Sequence, residues 1–228
     1  MILGDICTRS CRFCATKTGK PLPPDENEPA RLADAVKKLG LSHCVITSVD
    51  RDDLPDGGAS FWAKTITEVK KENPGITIEA LIPDFDGKEE NIKKVIDTQP
   101  DILSHNLETV KRLTPLIRTK AKYDRSLSVI RFIAGSGIPA KSGLMLGLGE
   151  TEEEILETMD DLLEAGCSIL TLGQYLKPAD GYMEPVAYIS PEKFAEYRKI
   201  GLSKGFTFVE SGPLVRSSWH AEKHIGAR

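Results

Sequence analysis

Apolar residues along this chain follow two spacings. Short runs, many of them β-branched, recur as "HCVITSV" (43–49), "ITIEALI" (76–82), "DILSHN" (101–106), "KSGLMLGL" (141–148), "SILTLGQYL" (168–176) and "FTFVES" (206–211). Their length and flanking turn residues predict buried strands. The stretches between them carry a helical period. "EPARLADAVKKLG" sets Leu32, Val36 and Leu39 on one face and stops at Gly40. In "TEEEILETMDDLLEAG", Thr151 and Glu154 form a capping box ahead of a stripe of Ile155, Met159, Leu162 and Leu163. Ser190 and Pro191 open the last helix as N-cap and first helical residue.

Strands that are continuously apolar and alternate with helices predict a parallel sheet covered by helices. With the opening "MILGD" run there are about seven strand candidates, which suits an α/β fold of the TIM type, a full or partial (βα) barrel. No linker, repeat or low-complexity tract divides residues 1–228, so one domain is expected. Sites in such barrels collect where strands run into loops at the C-terminal face. Those positions are chemically rich here: a cysteine loop (7–20) after the first strand, then "SVDRDDLPDGG", "HNLE", "GLGE" and "GQYLKP".

Composition narrows the class. Over 228 residues, 40% are apolar, 28% are charged and the net charge is −4, a balance that fills a core and offers no electrostatic footprint for nucleic acid or a membrane surface. No apolar stretch approaches the roughly 20 residues of a membrane span, and the N-terminus lacks a signal-peptide pattern. A soluble, cytoplasmic protein is expected. Of the five cysteines, Cys7, Cys11 and Cys14 are grouped as C-x3-C-x2-C, while Cys44 and Cys167 lie in or beside strand-like runs. The odd count and tight grouping argue for metal binding over disulfides, and Cys44 and Cys167 read as small buried hydrophobes.

Three thiolates on one loop reach three corners of a cubane, and a four-iron cluster normally takes four. One iron is then open to a further ligand. Gly4 and Gly19 permit tight loop paths, Phe13 can shield a cluster from water, and Arg9, Arg12, Lys17 and Lys20 bring positive charge. Zinc is the alternative, with a fourth ligand from His43, His105, His220 or His224, although its cysteine pairs are more often C-x2-C.

"CTRSCRFC" resembles the cluster motif of radical S-adenosylmethionine (SAM) enzymes. The chain is similar to the lipoyl synthase family through "MILGDICTRSCRFC", "NEPARLA", "VITSVDRDDLPDGGA", "IPDF", "HNLETV", "KSGLMLGLGET", "TLGQYLKP" and "GPLVRSSWHA". The resemblance implies a [4Fe-4S] cluster on Cys7, Cys11 and Cys14 whose open iron chelates SAM. It also implies a 5′-deoxyadenosyl radical that takes hydrogen from an octanoyl chain, and sulfur entering at two carbons to give lipoyl. The implied partners are an octanoylated lipoyl-carrier protein, with the octanoyl on a lysine, and an electron donor such as ferredoxin or flavodoxin. A radical enzyme of another substrate class and a non-catalytic zinc domain are the rival readings.

Further roles follow from the same resemblance. Asp56, Gly57 and Gly58 would let backbone approach the methionine part of the cofactor, or would only cap the next helix. Asn106 and Glu108 would bond its ribose, and Gly147, Gly149 and Glu150 would follow the strand along the adenine. Leu144, Met145 and Leu146 read equally as core. Arg51, Asp52 and Asp53 would position cofactor or substrate, or would form only a solvated loop; Gln174 and Tyr175 would line the site, and His43 reads as a packed or surface residue. In "RSSWHA" (tail 216–228), Ser217 and Ser218 are candidates for the serine ligand of a second, auxiliary [4Fe-4S] cluster, with Ser218 preferred; Trp219 stands where the family usually has tyrosine. The upstream C-x4-C-x5-C of that cluster is absent from this sequence, and Met1 matches an internal methionine of the family. A fragment or a mis-called start is therefore expected.

Overall fold

In the computed structural model, which describes residues 1–225, six parallel strands form one sheet in sequential order. A two-residue pair precedes it, β1 (Ile6–Cys7) against β2 (Lys17–Thr18). The sheet consists of β3 (His43–Thr47), β4 (Thr77–Leu81), β5 (Ile102–Ser104), β6 (Ala140–Leu146), β7 (Ile169–Gln174) and β8 (Phe208–Gly212). All six coincide with the apolar runs. The helices are α1 (Glu28–Leu39), α2 (Ala59–Glu72), α3 (Glu89–Ile96), α4 (Thr114–Ile117), α5 (Tyr123–Gly135), α6 (Glu152–Glu164) and α7 (Pro191–Lys204). Strands and helices alternate from β3 onward, giving a partial barrel with β3 and β8 as unjoined edges.

The helix signals act as their chemistry requires. Thr151 Oγ1 accepts from the Glu154 amide at 3.3 Å and Glu154 accepts from the Thr151 amide at 2.8 Å, completing the capping box of α6. Ser190 caps α7 and Gly40 ends α1 in a left-handed conformation, φ 62°.

One expectation fails. "MILGD" is not a strand of the sheet: Ile2 makes a single bridge to Ser48, and the backbone turns at Leu3 (φ 69°) and Gly4 (φ 92°). Ile2 and Leu3 are buried, so the run is apolar because it packs beneath the loops of the sheet. The cysteine loop therefore spans β1 to β2 outside the six strands.

The two faces of the sheet differ. Ile78, Ala80, Leu103, Leu170, Leu172 and Val209 alternate onto the helix side and are buried there. The concave face carries Glu79, Ser104, Lys141 and Thr171, also buried. Among the described residues no helix is long and apolar enough to cross a membrane.

Candidate active site

The cysteine loop is hung between two segments at the mouth of the barrel. Thr8 donates its amide (3.1 Å) and hydroxyl (3.0 Å) to the Asp50 carbonyl, and Arg12 donates its amide to Ile117 at 2.9 Å. The Gly19 amide returns to Cys7 O at 3.0 Å, closing the loop. Cys7 is buried, its Sγ accepting from the Arg9 amide at 3.4 Å and the Asp50 amide at 3.3 Å. Burial raises the Cys7 thiol and pushes Cys11 up to about 11, with Arg118 opposing at Cys11. Loading a metal cluster on these groups must displace their protons.

Arg9 anchors that loop. Its guanidinium donates to Asp52 at 2.9 and 2.8 Å and to Asp84 at 2.6 Å, and lies 3.3 Å from Asp50. Burial opposes ionisation of Asp84, but the Arg9 hydrogen bond and charge outweigh it and hold the carboxyl well below the usual range. At Asp50 burial prevails and the carboxyl is raised, against the pull of Arg9. Arg9 is thus a structural clasp; the cations free on the surface beside the cysteines are Arg12, Lys17 and Lys20.

Beside the loop a cavity of about 300 Å³ opens between the ends of β4 to β7 and the C-terminal tail. Phe13, Asn106, Glu108, Met145, Thr171, Gln174, Tyr175 and Ser217 line it. Asn106 donates to Glu108 at 3.2 Å and to Ser217 Oγ at 3.1 Å, while its own Oδ1 is buried without a partner. Glu108 holds a left-handed backbone (φ 67°), and burial raises its carboxyl against Arg118 and Asn106. Gly143 leaves room for this group, since a Cβ there would meet Thr171 Oγ1 at 2.6 Å and Asn106 Oδ1 at 3.1 Å.

The other candidates occupy different places. Glu150 accepts from the Gly147 amide at 2.5 Å and the Leu148 amide at 2.9 Å, building the turn after β6 that also contains Gly149. Asp56 accepts from the amides of Gly58 (3.0 Å) and Ser60 (2.9 Å) at the start of α2 and pairs with Lys94 at 2.9 Å. Gly57 packs beside Phe85, and a Cβ at Gly58 would strike Leu3, so this segment forms a helix cap. Arg51 is buried and bonds Asp53 and the carbonyls of Leu3 and Leu22. Asp52 serves Arg9, Thr8 and Lys120. Gln174 fastens the 187–189 segment, and the Tyr175 hydroxyl donates to Met183 O at 2.9 Å. Ser217 faces the cavity and Ser218 is exposed; the last three residues of the tail, 226–228, lie outside the described residues.

Sequence reasoning missed Arg118. It is buried, donates to the carbonyls of Asn106 and Leu107 at 3.1 Å each, and keeps Nε without a partner. With Asn106, Glu108, Asp50 and His105 it lines a smaller cavity of about 120 Å³. A lone arginine in "LIRTK" carries no local signal.

The donor set fits a thiolate-bound cluster better than zinc. Among the described residues no group of three or more His, Cys, Asp or Glu, the loop cysteines included, is placed to hold a metal ion. His43 bonds Thr77, His105 bonds Ile82 O and Ser126, and His220 lies beside Glu222, while His224 is buried with its ring tilted 55° against Phe208, away from the cysteine loop. The unpartnered Asn106 Oδ1 and Arg118 Nε are the kind of buried polar atoms that a bound cofactor satisfies. Among the described residues Cys44 and Cys167 do not join the serines of the tail. Cys44 and Cys167 sit at the N-terminal ends of β3 and β7, Cys167 with its thiol pushed up to about 12 by burial, away from the serines at the mouth.

A partial parallel barrel with a three-cysteine loop at its mouth defines a radical SAM protein, and the Radical SAM superfamily model matches residues 1–162. Among solved structures, methylornithine synthase (PylB) superposes with a TM-score of 0.69 at 15% identity, over 95% of this chain and 72% of that one. Streptococcus suis SuiB bound to precursor peptide SuiA gives 0.70 at 12%, over 92% and 48%; both likenesses concern the fold alone. Lipoyl synthase of Bacteroides fragilis is 61% identical over 225 residues, 99% of this chain and 78% of that protein. Lipoyl synthase of Treponema denticola is 57% identical over the same length, again 99% and 78%. The chain belongs to the lipoyl synthase family, and it is an enzyme.

Proposed function

We propose that the chain binds SAM at a [4Fe-4S] cluster on Cys7, Cys11 and Cys14 and acts on an octanoyl group carried by a lysine of a lipoyl-carrier protein, with sulfur insertion at two carbons as the reaction. The observation that carries this is the meeting of the cysteine loop with a cavity whose wall combines Phe13, Asn106, Glu108 and Ser217. When bound, cluster and cofactor supply the cleavage of an unactivated C–H bond, which acid–base groups cannot perform. The protein's own residues do the rest.

Asn106 and Glu108 offer donor and acceptor for the ribose hydroxyls, and the free Arg118 Nε offers a cation to the anionic end of the cofactor. Phe13, Leu81, Leu144, Met145 and Val215 supply the apolar lining that keeps water from the reacting carbon. An electron enters from a donor such as ferredoxin or flavodoxin. The sequence given holds five cysteines, three of them in the loop, and whether a second cluster assembles is read from the iron count.

The test is the iron and acid-labile sulfide content after anaerobic reconstitution, followed by product analysis with SAM and an octanoyl-lysyl peptide. About four irons per chain, as one cubane requires, and cleavage of SAM are expected. About eight irons would overturn the single-cluster reading, and zinc in place of iron would overturn the radical reading.

A further inference from the structure

The concave face of the barrel holds a buried charge pair that takes no part in the cavity wall. Lys141 on β6 lies 2.8 Å from Glu79 Oε2 on β4, across β5, and both side chains are within 1% of complete burial. Ser104 on β5 donates to the other Glu79 oxygen at 2.8 Å. Desolvating a lysine and a glutamate is costly, and such a pair adds little net stability over apolar residues of the same size. The third partner of Lys141 gives the pair a task. Its Nζ donates to the backbone carbonyl of Ser217 at 2.6 Å.

Ser217 is thereby held at both oxygens, the carbonyl by Lys141 from inside the barrel and the hydroxyl by Asn106 at the cavity. Two residues before it, the Val215 carbonyl rests against Gly173 on β7, in the space a side chain would fill. Farther along, His224 is buried against Phe208 at the foot of β8. The tail therefore crosses the concave face in one fixed register.

We propose that Lys141 is a positioning residue that, with Glu79 as its counter-ion and Gly173 as its seat, locks the register of the C-terminal tail and so sets which serine faces the cavity. An amine suits this task because it donates to the carboxylate and the carbonyl together. The consequence for the wall of the cofactor cavity rests on the functional reading above; the latch itself does not.

The experiment uses the full chain without cluster, so its failure is separate from failure of the proposed reaction. Lys141→Met with Glu79→Met removes both charges and leaves no orphaned ion. Trypsin cleavage after Arg216 and Lys223 is timed beside the thermal melt, and Trp219 emission is recorded. Proteolysis of a locally opened segment follows the population of its open form. Cleavage at those two sites is expected to quicken about tenfold or more while the main melt stays cooperative, with Trp219 emission shifting to the red. Glu79→Gln with Lys141→Gln, which keeps an uncharged donor, should recover part of the protection. Gly173→Ala is the second route, because it displaces Val215 without touching the charge pair, and it should quicken the same two cuts even if the double methionine variant does not fold. Unchanged cleavage in Gly173→Ala, or in a folded double methionine variant, would overturn the latch.

Discussion

Replacing Arg9 with methionine removes the central cation of a buried cluster of carboxylates. The Arg9 side chain is 3% exposed and Asp84 is wholly buried, with their atoms 2.6 Å apart. Breaking a buried pair costs about 3–5 kcal/mol, because the partner is left as an uncompensated charge. Arg125 still lies 3.3 Å from Asp84 in the variant's starting geometry, which places the loss near the lower end, about 3 kcal/mol. For a chain of this size each kcal/mol shifts Tm by about 2–4 °C, so a fall of about 6–12 °C is expected at pH 7. The pH dependence carries the sign of the argument. Asp84 is held below its ordinary value in the fold, so its contribution is complete above the unfolded carboxylate pKa of about 3.9 and is lost as pH falls toward the folded value. The gap between wild type and Arg9→Met should thus be full at pH 7 and begin to close at about pH 4. Circular dichroism melts of the cluster-free chains at both pH values measure it. A Tm change below about 3 °C at pH 7, or a gap that does not narrow on acidification, would refute the clasp.

Cys11→Ala should bind no four-iron cluster and lose its brown colour, with helical circular dichroism retained because the loop stands outside the six-stranded sheet; iron analysis checks it. Asn106→Ala removes the donor to both Glu108 and Ser217, and equilibrium dialysis of the reconstituted protein should find SAM held about tenfold or more weakly. Gly143→Ala should do the same by pushing Asn106 from its place, with little change in overall melt beyond about 1–3 kcal/mol of overpacking. Thr151→Ala breaks the capping box of α6 and should cost about 1 kcal/mol, read as a Tm fall of about 2–4 °C.

Local chemistry settled a good part of this protein before any fold was in view. The six strand runs, the Thr151 and Ser190 caps and the stop at Gly40 depend on neighbours within a few residues, and each lies where its pattern put it. The cysteine triplet is local too, since its spacing alone sets what one loop can ligate. Asn106 and Glu108 drew notice because they follow a strand end, and strand ends in a parallel barrel face the mouth; both line the cavity there.

Tertiary structure decided what depends on contacts remote in sequence. Arg9 looked like one of four cations near the thiolates, yet its partners are 43 and 75 residues away and it serves the fold. "MILGD" had the composition of a strand, and only the left-handed turn at Leu3 and Gly4 takes it out of the sheet. Asp56 and Arg51 had the residue types of a site, and the packing of α2 and the N-terminal segment gave them structural tasks. Lys141 and Glu79 lie 62 residues apart inside runs that read as apolar strands. Their meeting depends on the register of three strands and on which pleat faces the concave side, and the period of a single strand contains neither.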